Sequence, residues 1–157
     1  MRPQEKPIST PPPCLCPGTD DDDALAAWRQ MVYTYLKLQH RVEEMLVPYG
    51  LALSQFEALA KVGMNPGVIQ QDLVKYLLVT KGNVGALVDR LEQSGLVERR
   101  PDPSDRRANR LCLTESGTAM VKEIFDKHRV LVREMFSPLG SSQRKTLRLL
   151  LKELEPQ

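Results

Sequence analysis

Residues 80–113 carry the sequence TKGNVGALVDRLEQSGLVERRPDPSDRRANRLCL. Apolar residues recur in its first half at positions i, i+3, i+4 and i+7: Val84, Leu87, Val88 and Leu91. This spacing predicts an amphipathic helix that Thr80 caps and Gly95 ends. Beyond Gly95 the apolar period changes from 3.6 to 2, which predicts two short strands at 96–99 and 110–113. The segment is therefore typical of a helix followed by a β-hairpin.

The loop between the two predicted strands, residues 100–109, is rich in turn-forming residues and strongly basic. The 12 residues from 99 to 110 hold two aspartates and five arginines: Arg99, Arg100, Arg106, Arg107 and Arg110. Such a segment is either a solvated charged loop or a contact surface for a polyanion. Its local charge of +3 does not by itself separate these two interpretations.

A further helix is predicted immediately upstream of the first. Its apolar positions Ile69, Leu73, Tyr76 and Leu77 lead into a tight bend at residues 78–79. Two helices joined by three or four residues suggest a helix-turn-helix, and a basic hairpin directly after them makes a winged helix. In that arrangement the second helix enters the major groove of DNA, and the wing reaches phosphates or the minor groove.

Three apolar stripes outside this unit, on residues 24–46, 121–136 and 147–154, exceed what a small winged helix can cover. We therefore expect helices from both ends of the chain to form a shared dimerisation platform. The aspartate run 20–23 should begin the first helix, a capping box at 54–57 the next, Thr114 the long one, and Ser141 or Ser142 the last. A symmetric dimer would place two recognition helices about 34 Å apart, one DNA turn.

The predicted fold class is thus mainly α with a small β-hairpin wing. Residues 1–19 contain six of the twelve prolines and are expected to form a disordered tail. Residues 20–157 are expected to form a single domain, in which 20–50 and 115–157 supply the dimerisation helices and 51–114 the winged helix-turn-helix.

Composition narrows the class of protein. The chain has 157 residues, of which 41% are hydrophobic and 27% charged, as in an ordinary globular protein. It lacks both an apolar run of about 18 residues and a signal-peptide pattern, so a cytoplasmic location is expected. The first 23 residues carry a net charge of −3 and the remainder +5. No nucleophile–base grouping, phosphate-binding glycine loop or paired-carboxylate arrangement is evident, so we expect neither an enzyme nor a cofactor.

The cysteines and histidines offer weak signals only. Cys14 and Cys16 could bind a soft metal or form a redox pair, but they lie in the proline-rich tail, where an incidental position is the more economical interpretation. Cys112 is expected to be an inert strand thiol. His40 and His128 have no companion at ligand spacing, so we expect packed imidazoles and no metal site.

The order and spacing of three motifs identify a family resemblance. They are Asp89-Arg90-Leu91-Glu92-x2-Gly95-Leu96-Val97, then Arg99-Arg100-x-Asp102-Pro103-x-Asp105-Arg106-Arg107, then Leu113-Thr114-x2-Gly117. Together they resemble the signature of the MarR (multiple antibiotic resistance regulator) family, over residues 23 to 155. The resemblance implies a homodimeric winged-helix transcription factor that binds palindromic operator DNA. It also implies a repressor that a small phenolic or oxidative signal releases from DNA. The alternative is a winged-helix scaffold that binds proteins without specific DNA binding.

Carried over by position, the resemblance makes residues 80–93 the recognition helix and 105–107 the wing tip. It implies that Asp105 pairs with Arg107, which enters the minor groove beside Arg106. Arg90 and Lys81 are placed for phosphates, and Arg99 belongs to the same predicted DNA-binding set.

Direct base reading is the part of this pattern that the sequence supports least. The outward face of the recognition helix is small, and Gly85 stands where many relatives carry a hydroxyl residue. Polar groups come only from Thr80, Lys81, Asn83 and Gln93. Either the glycines allow the backbone to approach DNA closely, or the wings read DNA shape, which we favour.

An effector pocket is implied by the resemblance alone, between the dimerisation platform and the winged helix. The aromatic or flexible side chains that could line it are Trp28, Met31, Tyr35 and Tyr49. Core packing is the alternative for each of them.

Overall fold

The computed structural model describes residues 22–77, 81–103 and 108–155. Within these ranges the chain is mostly helical, with one small sheet, which confirms the predicted fold class. The elements are α1 (Asp23–Leu46), α2 (Leu53–Met64), β1 (Val68–Ile69), α3 (Gln70–Leu77), α4 (Lys81–Gln93), β2 (Val97–Pro101), β3 (Asn109–Leu113), α5 (Glu115–Met135) and α6 (Ser141–Glu153). A short 3₁₀ turn, Val47–Tyr49, follows α1 and ends at Gly50, whose φ is +64°.

The chain divides into two compact units, Met1–Arg41 and Val42–Gln157. In the first unit, Asp22 Oδ1 accepts the backbone N–H groups of Ala24 and Leu25 at 2.9 and 3.2 Å. This cap confirms that the aspartate run begins α1, although Asp20, Asp21 and the predicted tail 1–19 lie outside the described residues. The predicted division into a tail and a single domain stays a prediction.

The second unit contains a three-stranded antiparallel sheet in the order β1-β3-β2. Ile69 was predicted to lie at the start of a helix, and this prediction was wrong. Val68 and Ile69 instead pair with Leu111 and Arg110 on β3. A two-residue strand is too short to show an alternating pattern, so its partner strand defines it.

The hairpin is longer than predicted, and its loop is shorter. Pairing of β2 with β3 runs from Val97 opposite Leu113 to Pro101 opposite Asn109, and the Asp102 N–H donates to the Ala108 carbonyl at 3.1 Å. The ladder therefore extends past the last apolar residue of β2, which the apolar period alone could not indicate.

Two clusters of buried side chains form the core of this unit. The larger cluster joins α2, α3, α4 and the sheet and includes the fully buried Leu59, Leu73, Leu91 and Leu111. The smaller one joins the end of α1 to α2 and α5 through Val42, Leu46, Phe56 and Ile124. Each fully buried leucine contributes about 1.5–3 kcal/mol of transfer free energy, so these side chains fix α4 on its supporting helices.

Glutamine side chains begin two helices where hydroxyl caps were predicted. The Ala52 N–H donates to Gln55 Oε1 at 2.9 Å at the start of α2, and the Gly140 N–H donates to Gln143 Oε1 at 2.7 Å at the start of α6. A glutamine at the third helical position accepts an N–H that a helix start leaves unpaired, so no serine is needed. The predicted Thr114 cap of α5 is confirmed, since its Oγ1 accepts the Gly117 N–H at 3.0 Å.

No helix in the described part of the chain is long and apolar enough to cross a membrane. The last helix instead exposes its apolar stripe. Leu150, Leu151 and Leu154 are 54%, 44% and 69% exposed, while Leu147 is half-buried.

Candidate nucleic-acid interface

Helix α4 packs one face into the core and exposes the other. Its four predicted inward residues, Val84, Leu87, Val88 and Leu91, are all buried. On the opposite face Ala86, Asp89 and Gln93 are exposed, as the helical spacing predicted. The predicted recognition helix is therefore packed against the core on one face and exposed to solvent on the other.

The start of this helix is only partly described. Thr80 lies outside the described residues, and so do the side chains of Lys81 and Asn83, although both residues belong to α4. A Cβ atom built on Gly85 would have Gln70 Nε2 as its nearest neighbour, at 3.8 Å. Because that distance is an ordinary van der Waals contact, the fold itself does not require a glycine at this position.

Arg90 is exposed near the end of α4, and its guanidinium makes no ion pair within the described residues. The backbone carbonyl of Arg90 accepts the Ser94 hydroxyl at 2.9 Å, which helps to end the helix. A cation with no carboxylate partner in the described part of the chain is suited to a phosphate, and the phosphate contact of Arg90 stays a prediction.

Arg99 occupies a different environment from the one expected of a DNA contact. Its guanidinium pairs with both Asp89 and Glu92 on α4, and its Nε donates to Gln70 Oε1 at 3.3 Å. The Arg99 side chain is only 21% exposed. Its charge is therefore engaged within the protein. Asp89 and Glu92 stand at i and i+3, facing the strand that follows, and this spacing is the signal that could have revealed the contact.

The other described arginines of the hairpin are also ion-paired. Arg100 pairs with Glu98 on the same strand, and Arg110 Nε lies 2.6 Å from Asp102 Oδ2. Asp102 is buried, which its place in a charged loop of the sequence did not indicate. Asp105, Arg106 and Arg107 lie outside the described residues, so the predicted wing-tip pair stays a prediction.

A groove of about 890 Å³ lies between the end of α2, β3 and α5. Its apolar lining includes Met64, Leu113, Val121, Phe125 and Val132, and cations such as Lys122 and Arg133 also border it. His128 lines the groove with its ring 5.5 Å from that of Phe56, and partial burial lowers the pKa of this imidazole.

None of the four predicted pocket residues lines this groove. Tyr49 lies on the surface of α5, where its hydroxyl donates to Glu123 Oε1 at 2.8 Å and Lys127 Nζ lies 4.9 Å from the centre of its ring. The Tyr49 hydrogen bond lowers the pKa of Glu123, and Lys127 adds to this effect. Trp28, Met31 and Tyr35 belong to the first unit, in which they are 56%, 37% and 60% exposed.

The described ranges hold no group of three or more His, Cys, Asp or Glu side chains arranged to hold a metal ion. Cys112 is a half-buried free thiol on β3, between Leu111 and Leu113. Cys14 and Cys16 lie outside the described residues, so their role is not tested.

Helices α3 and α4 followed by a hairpin that pairs with a short third strand define a winged helix-turn-helix protein. The sequence profile of the MarR family matches residues 49–108. The multiple antibiotic resistance protein MarR of Escherichia coli is 30% identical over 124 residues, which cover 76% of this chain and 84% of that protein. The transcriptional regulator PecS of Dickeya dadantii is 27% identical over 76% of this chain and 74% of its own length. The chain belongs to the MarR family.

Solved structures agree with this assignment. A mutant of E. coli MarR in complex with operator DNA superimposes with a TM-score of 0.78 and 28% identity, covering 85% of this chain and 96% of that one. AbsC, a MarR family transcriptional regulator from Streptomyces coelicolor, gives the same TM-score and identity, covering 85% of this chain and 93% of its own.

Proposed function

We propose that this protein is a homodimeric repressor that binds a palindromic DNA operator in a sequence-specific manner. The observation that carries the proposal is the likeness, over 85% of the chain, to a relative solved with operator DNA. The exposed face of α4 and Arg90, which forms no ion pair with another described residue, support it, because a recognition helix needs an open face and cations for phosphate.

The homodimer is supported by the apolar surface of α6. Leu150, Leu151 and Leu154 project from one stripe and are all more than two-fifths exposed. A contiguous apolar stripe on a helix is usually covered in the functional assembly. A second copy of the chain, related by a two-fold axis, would cover it and set two α4 helices about 34 Å apart for half-sites one turn apart.

Binding can be tested with purified protein and fragmented genomic DNA. Bound fragments are sequenced, and the affinity for the enriched site is measured by fluorescence anisotropy at several salt concentrations. The logarithm of affinity should fall linearly with the logarithm of salt concentration. Arg90→Gln should weaken binding and reduce the slope by about 1, as expected for one lost phosphate contact. Lys145→Gln on α6 removes the same charge and should leave the slope unchanged.

The alternative function, a scaffold that binds proteins, makes the opposite prediction. A folded, dimeric sample that shows no affinity for any duplex in dilute buffer would favour the scaffold and reject the DNA-binding proposal. Transcription in vitro from a promoter that overlaps the enriched site tests the sign of regulation, since a repressor should lower transcript yield.

We also propose that an effector releases the protein from DNA by binding the groove between α2, β3 and α5. An apolar floor that includes Phe125 and Val132, with Lys122 and Arg133 at its border, suits a small aromatic anion. 4-Hydroxybenzoate, a small phenolic acid, is a suitable probe. It should weaken operator binding by the wild type and have less effect on Val132→Trp, in which the added ring occupies part of the groove.

A further inference from the structure

Four side chains form a cluster that joins the base of the wing to both helices of the helix-turn-helix. We call it the Arg99 clamp, and it consists of Arg99, Asp89, Glu92 and Gln70. The guanidinium pairs with the two carboxylates of α4, while its Nε donates to the Gln70 amide oxygen at 3.3 Å. Arg99 therefore connects β2, α4 and the first residue of α3 through one planar group.

The Arg99 clamp has the geometry that an arginine satisfies and a lysine does not. A guanidinium presents donors in a rigid fork, so it can pair with two carboxylates and an amide at once. Glu92 also accepts the backbone N–H of Arg99 at 3.4 Å, so both the main chain and the side chain of this residue are held. With 21% of its side chain exposed, Arg99 is the least exposed member of the three ion-paired residues.

The charges in this cluster are unfavourable for a simple DNA contact. Asp89 and Glu92 are 56% and 41% exposed on the helix proposed to read DNA, and together with Arg99 they carry a net charge of −1. Carboxylates at such a surface repel phosphates. Their placement is therefore explained better by what they hold than by what they could attract.

We infer that Arg99 is a positioning residue that fixes α4 and the wing as one rigid unit and does not itself contact phosphate. The inference rests on the proposed DNA binding. A recognition helix and a wing must meet different parts of one duplex together, so the angle between them controls affinity. The Arg99 clamp sets that angle at the point where β2 passes the last turn of α4.

The change in operator affinity when two carboxylates are neutralised separates this role from a phosphate contact. The double variant Asp89→Asn with Glu92→Gln raises the net charge by two and releases the Arg99 guanidinium. If Arg99 contacts phosphate, operator affinity should stay the same or increase, because added positive charge strengthens DNA binding. The positioning role predicts affinity at least tenfold lower with an unchanged salt slope, because the number of phosphate contacts is the same.

Glu98→Gln is the matched control. It also removes a carboxylate next to an arginine of β2, but its partner Arg100 is 64% exposed and the pair involves one strand alone. We expect Glu98→Gln to bind the operator as tightly as the wild type or more tightly.

Reversing the ion pair provides a test of rescue. Arg99→Glu alone should weaken operator binding more than tenfold. Arg99→Glu combined with Glu92→Arg restores a pair between β2 and α4 at the original net charge, and it should recover affinity to within about threefold of the wild type. A phosphate contact by Arg99 would not be recovered in this way.

Amide hydrogen exchange gives a readout that does not involve DNA. In the double variant Asp89→Asn with Glu92→Gln, the amides of α4 should exchange at least tenfold faster, while those of α5 keep their protection. Unchanged protection of α4 together with equal or tighter operator binding would overturn the inference. If the wild type binds no DNA, the proposed function fails, and the exchange of α4 still decides whether the clamp holds this helix.

Discussion

Arg110 Nε lies 2.6 Å from Asp102 Oδ2, and the Asp102 side chain is 2% exposed whereas that of Arg110 is 43% exposed. Asp102 directly follows β2, and Arg110 stands on β3 opposite Arg100. The pair therefore closes the base of the wing. Because burying a carboxylate is costly without a charged partner, Arg110 stabilises the buried position of Asp102.

Removing Arg110 should cost more stability than removing the neighbouring arginine. Arg110→Met removes a charged partner of the buried Asp102 carboxylate and should lower the free energy of unfolding by about 2 kcal/mol, less than for a fully buried pair because Arg110 is half-exposed. Arg100→Met breaks an exposed pair and should cost less than about 0.5 kcal/mol. Urea denaturation measures both, and equal costs would show that the Asp102 pair adds nothing.

Gly117 should tolerate no side chain. A Cβ at this position would lie 2.0 Å from the Leu96 carbonyl oxygen, which is backbone and cannot rotate away. The same oxygen accepts the Thr114 N–H at 3.1 Å, so moving it also disturbs the cap of α5. We expect Gly117→Ala to lower the free energy of unfolding by about 3 kcal/mol, in the upper range for overpacking. A loss under about 1 kcal/mol would mean that the backbone at Leu96 and the start of α5 can move apart at little cost.

Gly85→Ala should have the opposite effect on stability. The nearest atom to the added methyl lies 3.8 Å away, and alanine is favoured over glycine within a helix by about 0.5–1 kcal/mol. Its effect on operator affinity separates the two interpretations of base reading. Shape readout predicts unchanged affinity, and close backbone approach predicts a large loss.

Asn83→Ala should likewise cost under about 0.5 kcal/mol of operator discrimination if shape readout dominates, against the 1–3 kcal/mol of a good bidentate contact.

The sequence was sufficient for some features that a local pattern determines, although hydroxyl caps were predicted where the side chains of Gln55 and Gln143 cap α2 and α6. The period of Val84, Leu87 and Leu91 predicted the recognition helix, and Thr114 predicted the start of α5 because a cap acts within three residues. The sequence did not predict the contacts and strands that depend on a partner distant along the chain. Arg99 contacts Gln70, which lies 29 positions earlier in the sequence, and no periodicity predicts such a contact. The two-residue strand β1 likewise exists only because β3 pairs with it.

The Glu123 carboxylate should make a pH-dependent contribution to stability. The Tyr49 hydroxyl, followed by Lys127, lowers the pKa of Glu123 in the folded state. A lowered folded-state pKa stabilises the protein above the ordinary carboxyl pKa of about 4.3, and this stabilisation is lost as the pH falls through the folded-state value. The stability difference between the wild type and Glu123→Gln should therefore be present at neutral pH and disappear in acid. Tyr49→Phe removes the main cause and should reduce that dependence. Denaturation at a series of pH values measures both, and a difference that persists in acid would reject this assignment.

Dimerisation through α6 should depend on one face of the helix. Leu150 and Leu154 are four residues apart and 54% and 69% exposed, so they belong to the same stripe. Replacing both with glutamate would place two charges in the proposed apolar interface, where burial without a partner is strongly unfavourable. The variant should sediment as a monomer at micromolar concentration and lose most of its operator affinity, because a single recognition helix contacts only one half-site.

Leu149 provides the matched control for this experiment. It is 57% exposed, about as much as Leu150, but it lies about 150° around the helix axis from the centre of the stripe, because successive helical residues are about 100° apart. Leu149→Glu should therefore remain dimeric and bind DNA like the wild type. If the change at Leu149 disrupts the dimer as strongly as those at Leu150 and Leu154, the interface is not the predicted stripe. If the stripe variant stays dimeric, other helices hold the two copies together.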